Sequence, residues 1–102
     1  MSNYKIEFPE YDDTLNIPDG WVDISWHNNA CPSISKTVNK EWSVDIWCDY
    51  MNPDRREMGV GCRFVVSTNF NDEDYEQLGE FHTLEHAILF ANVIYKDMRE
   101  QA

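Results

Sequence analysis

The clearest pattern in the chain runs from Trp42 to Tyr50, where Trp42, Val44, Ile46, Cys48 and Tyr50 alternate with Ser43, Asp45, Trp47 and Asp49. Successive side chains of a strand point to opposite faces, so a period of two predicts a strand with the first set in a core and the second turned outward. Three more segments alternate in the same way. Tyr4, Ile6 and Phe8 predict a short first strand or extended arm, stopped at Pro9, which has no N–H for a ladder. Val22, Ile24 and Trp26 alternate with Trp21, Asp23 and Ser25 and predict a second strand. Cys62, Phe64 and Val66 alternate with Arg63, Val65 and Ser67 and predict the last one. The stretch 33–38 mixes polar and apolar residues without a period, and Asn39-Lys40 supplies a hairpin turn before the Trp42 strand.

Between these segments the composition is that of loops. Residues 10–20 collect acids, Asn, Pro and Gly, and 27–33 reverse the chain. Residues 51–61 hold Pro53 and two glycines, while 69–80 carry Asp72, Glu73, Asp74, Glu76 and Glu80 and are expected to form an acidic loop in solvent. The period then changes. Leu84, Ala87, Ile88, Ala91, Ile94, Tyr95 and Met98 recur at steps of three and four, which predicts a helix over 83–99 with one wide apolar stripe. Thr83 is a suitable N-cap, Glu85 favours the start, and Lys96 and Arg99 favour the end. The expected architecture is one α+β domain over 1–102, an antiparallel meander of three to five strands with the C-terminal helix packed on one face.

Charge narrows the partners. Nineteen acidic residues against eight basic ones give a formal net charge of −11. Such a chain lacks the Lys and Arg that neutralise phosphates, so direct nucleic-acid binding is not expected. The same charge suits a protein partner with a basic surface. No apolar run approaches the ~20 residues that cross a bilayer, so no membrane contact is expected. Three cysteines without paired spacing, and an N-terminus without the features of a signal peptide, fit a reducing cytoplasmic setting.

Candidate chemistry is sparse. His82 and His86 stand four residues apart, and His27 and Cys31 form a second spaced pair, the raw material of a tetrahedral metal site. No tight Cys pair accompanies them, so no metal, cofactor or catalytic residue is assigned. Cys31 with His27 or His86 as base would need an orienting group that the spacing does not show. Arg55 and Arg56 are expected to pair with carboxylates and pin their loop. By contrast, Leu89 and Val93 fall off the helix core stripe and Trp47 falls on the outward face of its strand. Exposed apolar groups of this kind mark partner surfaces unless a loop, 10–20 or 69–80, covers them.

The segments GWVDISWHNNACPS, residues 20–33, and IWCDYMNPDRRE, residues 46–57, continuing into Arg63-Phe64-Val65-Val66, resemble small acidic proteins of bacteria, phages and prophages that have no assigned function. The resemblance implies a sheet around Ser25-Trp26-His27-Asn28 and Asp49-Tyr50 with Pro53 and Arg55, and it brings no cofactor or reaction. A phage or mobile-element setting implies, by analogy, an inhibitor of a host defence or nucleic-acid-binding complex. The expected function is therefore a non-enzymatic protein-binding module, with Asp45, Trp47, Asp49, Asp72, Glu73, Asp74, Leu89 and Val93 as its contact residues. The alternatives are a homodimeric structural domain and a small metal-binding protein.

Overall fold

Ile34, Ile46, Val66 and Gly79 lie side by side on four successive strands, and this row is the floor of the core. The computed structural model describes residues 3–57 and 62–101. In chain order it contains helix α1 (Tyr4–Glu7), strands β1 (Val22–Asp23), β2 (Ser33–Thr37), β3 (Trp42–Cys48), β4 (Phe64–Phe70) and β5 (Asp74–Phe81), and helix α2 (Leu84–Gln101), with a 3₁₀ turn at Pro53–Arg55. The five strands form one antiparallel sheet in sequential order, β1-β2-β3-β4-β5. Helix α2 packs across β3, β4 and β5 on one face, the architecture expected from the sequence.

The core is built as the two periods dictate. Val44, Ile46 and Cys48 of β3, Phe64 and Val66 of β4 and Ile34 of β2 meet Ala87 and Ala91 of α2, and all are buried. Leu84, Ile88, Ile94, Tyr95 and Met98 complete the helix stripe. Phe90 packs against this core and meets Phe81 with ring centroids 5.1 Å apart. Thr83 Oγ1 accepts from the N–H of His86 and closes the first turn of α2. Gly79 lets the sheet and the helix approach: a Cβ there would lie 3.0 and 3.2 Å from Phe81 and 3.3 Å from Phe90.

Four expectations change. Residues 4–7 form a short helix rather than a strand, because Asn3 Oδ1 caps it and Asp23 Oδ2 accepts from the N–H of Tyr4. The 33–38 stretch is β2, whose mixed composition reflects Ile34 facing the core and Ser35 facing away. The segment 69–80 is not one loop: β4 runs on to Phe70, and β5 follows a tight turn in which Asn71 and Asp72 both have positive φ, 53° and 59°. Asn and Asp tolerate that conformation better than other side chains. The Cys62 strand is therefore the fourth of five. The part of the 51–61 loop at 58–61 lies outside the described residues.

The 10–20 loop belongs to the core side. Leu15 is buried there, and Tyr11 and Ile17 pack against the same cluster. Arg63, 8% exposed, ties this loop to the sheet by donating to Asp49 O, Tyr11 Oη and Asp13 Oδ2 at 2.8, 2.9 and 2.9 Å. Asp12 accepts from the N–H groups of Met51 and Asn52, both at 2.8 Å. Slight burial acts to raise the Asp12 pKa, but these N–H donors outweigh it and hold the carboxyl below its ordinary value.

A Gly79→Ala chain should be less stable by about 1–3 kcal/mol, the usual cost of forcing a methyl group into a filled contact, read as a lower urea midpoint at unchanged slope. The Asp12 contribution has the sign of a depressed carboxyl. It is present above the unfolded pKa of about 4 and is lost as pH falls through the folded value. The urea midpoint of the native sequence should therefore drop more steeply between about pH 5 and pH 3 than that of Asp12→Asn.

Candidate binding face

A sheet has two faces and α2 covers one, so the other must be finished by its own side chains. Its central row is Val22, Ser35, Asp45, Ser67 and Gln77, one from each strand. Asp45 is fully buried in this row. It stays there because Ser35 Oγ donates to it at 2.6 Å, Ser43 Oγ at 2.9 Å and Asn69 Nδ2 at 3.1 Å. A carboxylate removed from water needs such donors, and three of them make a rigid polar floor. Asn69 Nδ2 also donates to Asp72 Oδ1, and Asn69 Oδ1 accepts from the N–H of Asp72, which joins the floor to the β4–β5 turn.

Aromatic groups border this floor. Trp47 Nε1 donates to Ser67 Oγ at 3.2 Å, and the Trp47 ring meets Tyr75 edge to face at 6.1 Å. Partial burial, then the Asp45 and Asp72 carboxylates, push the Tyr75 phenol pKa up, while a hydrogen bond with Asn69 acts the other way. At the far side of the sheet the chain enters β1 with an inverted pattern. Trp21 and Ser25 are buried, whereas Val22 and Trp26, 57% and 50% exposed, face out. Ile24 and Trp26 wall a shallow groove of about 550 Å³ whose base is Ser35, Ser43 and Asn69 and whose other wall is Tyr75. Glu41, Asp72 and Lys40 stand at its margin. A second hollow of about 290 Å³ lies between Trp47, Val65, Tyr75 and Gln77.

The expected contact residues divide. Asp45 and Asp49 do not present charge to solvent; this corrects the expectation that an outward position on β3 means an exposed one. Asp49 is 1% exposed, and its Oδ1 accepts from the N–H groups of Tyr50 and Glu57. Trp47 is half-buried on the helix-free face. Asp72, Glu73 and Asp74 are exposed at the β4–β5 turn and the start of β5. Leu89 and Val93, each 66% exposed, lie on α2, which covers the opposite face of the sheet, so they share no surface with Trp47. Trp26, Tyr75 and the serine and asparagine floor were not singled out from sequence. The available signal was the alternation of Ser43, Asp45, Ser67 and Asn69 opposite the apolar set.

The four residues weighed as metal ligands have other surroundings. Cys31 is fully buried, and burial followed by the Asp49 charge pushes its thiol pKa up, which suits a packed side chain rather than a nucleophile. His27 Nδ1 lies 3.0 Å from Glu7 Oε1. His82 Nε2 lies 3.7 Å from Cys62 Sγ, and His86 is exposed on α2. Among the described residues no three His, Cys, Asp or Glu side chains come together to hold a metal. No described helix is long and apolar enough to cross a membrane.

Asp45→Ala should cost about 1–3 kcal/mol for each buried donor left unpaired, while Asp45→Asn, which keeps an acceptor oxygen, should recover part of the loss in the same denaturation measurement. No protein-family model, curated protein or solved structure matches the chain.

Proposed function

We propose that the chain is a non-enzymatic protein-binding module whose helix-free sheet face receives a partner with a basic surface. The observation that carries this reading is the inverted alternation at β1 and just after it, which turns Val22 and Trp26 outward on the side where no helix or strand among the described residues covers the sheet. A small domain gains no stability from leaving a tryptophan half exposed, and aromatic groups beside a polar floor are the composition of an interface centre. Glu41 and Asp72 add negative charge at the groove, Glu73 and Asp74 follow Asp72 in the chain, and the net charge of −11 would speed encounter with a basic surface.

A partner that normally holds nucleic acid offers such a surface. Its groove would be occluded stoichiometrically, which is the inhibitor role suggested by the resemblance to phage and prophage proteins. Leu89 and Val93 favour a rival reading, a homodimer joined through α2. Mass measured across micromolar concentrations distinguishes the two, since the homodimer requires a concentration-dependent doubling that Leu89→Ser with Val93→Ser abolishes.

Tagged protein incubated with lysate should retain a stoichiometric partner at low salt and release it as salt rises. Trp26→Ala and Tyr75→Ala should each weaken retention by on the order of tenfold or more, and Leu89→Ala with Val93→Ala should leave it unchanged. Retention that ignores salt and both aromatic substitutions would remove the reading.

A further inference from the structure

The two edges of the sheet are finished differently. β1 has two paired residues, the short edge strand that proteins use to prevent further pairing. β5 has eight, Asp74–Phe81, and pairs with β4 alone. Among the described residues no other backbone bonds to it, and Asp74, Tyr75, Glu76 and Gln77 are all exposed. The register shift at Val66/Ser67 interrupts the ladder after Gln77, so the longer regular part of the edge is the four residues from Asp74 to Gln77. An open row of peptide groups is a template for one more strand.

Charge selects what can occupy it. Asp74 and Glu76 pair with Phe70 and Thr68, while Tyr75 and Gln77 pair with Asn69 and Ser67 on the helix-free face. Asp72 and Glu73 precede them, and no Lys or Arg lies between Asp72 and Phe81. A second copy of β5 would bring like charges onto one edge, which opposes self-pairing. A strand with Lys or Arg at every second position would place cations beside Asp74 and Glu76. Its intervening side chains would fall beside Tyr75 and the hollow at Trp47 and Val65.

We infer that β5 is the docking edge for an extended basic segment of the partner, with Lys or Arg alternating with apolar residues, added as a sixth strand. The inference rests on the proposed protein-binding role and specifies how the partner enters.

The test uses the full chain and two synthetic peptides: acetyl-Lys-Val-Lys-Val-Lys-Val-Lys-amide, and the same peptide N-methylated at every second residue, which keeps charge and loses ladder donors. Amide exchange is followed along β5 while binding is titrated by tryptophan fluorescence. The unmodified peptide should slow exchange of outward amides within 74–77 by on the order of tenfold or more. It should bind several-fold more weakly to Glu76→Lys, an exposed substitution that leaves the fold intact. The methylated peptide should bind at least tenfold more weakly than its parent.

Equal binding of both peptides, or binding with unchanged β5 exchange, would overturn strand addition while leaving a role for the Trp26 face. Lack of binding at millimolar peptide would overturn it also. So would slowing of β5 exchange by increased protein concentration alone, which would assign the edge to a second copy. Partner retention lost in Trp26→Ala but kept in Glu76→Lys would leave the face and sink the edge.

Discussion

One helix can cover only one face of the sheet, and the rest of the molecule accommodates that shortage. The apolar row of Ile34, Ile46 and Val66 is spent on α2, and Gly79 at its end admits the Phe81 and Phe90 rings. What remains on the other face is a band of small polar side chains around one carboxylate. Asp45 can be enclosed there only because Ser35, Ser43 and Asn69 all donate to it. The donors come from three strands, so the carboxylate also fixes their register. A one-residue slip of β2 or β4 would turn the donor to the opposite face and bring Ile34 or Lys36, or Thr68 or Phe70, into its place.

The same shortage separates the two apolar surfaces. Trp26, Trp47 and Tyr75 belong to the open sheet face, whereas Leu89 and Val93 lie on the helix. A single partner of ordinary size would engage one side or the other. On the proposed reading, the polar floor would give a partner on the sheet side hydrogen-bonding groups already held in place. Preorganisation of this kind lowers the entropy lost on binding.

Much of this was legible from period alone. The β3 strand, the α2 stripe and the Thr83 cap each follow from one local rule, and the structure contains all three, although of the β3 set expected in the core Trp42 is exposed at the start of the strand and Tyr50 is only half-buried. The misses have two causes. Residues 4–7 alternate like a strand, yet side chains at Asn3 and Asp23 hold their N–H groups in a helical turn, and Asp23 is nineteen residues from Tyr4. β5 gives no strand signal because its first half, 74–77, is exposed on both sides and has no apolar period to show, and its acids look like solvent-facing linker. The candidate face was half visible: alternation placed Trp47 outward, but nothing local reveals that Asp45 beside it is enclosed, since that depends on Ser35 and Asn69 arriving from other strands.

Every strand in the sheet pairs with its immediate neighbour in sequence, and the covering helix comes after all five. Three of the four pairings close nine residues or fewer and β3 to β4 closes fifteen, so most of the sheet can assemble one hairpin at a time without a long search. Order of synthesis then matters. Until the eighteen residues of α2 emerge, the row of Ile34, Ile46 and Val66 has no cover, and the nascent sheet is apolar on one side and polar on the other. The acids at Asp74 and Glu76 lie on the edge strand that precedes that cover in the chain, and like charges there oppose edge-to-edge pairing of two sheets.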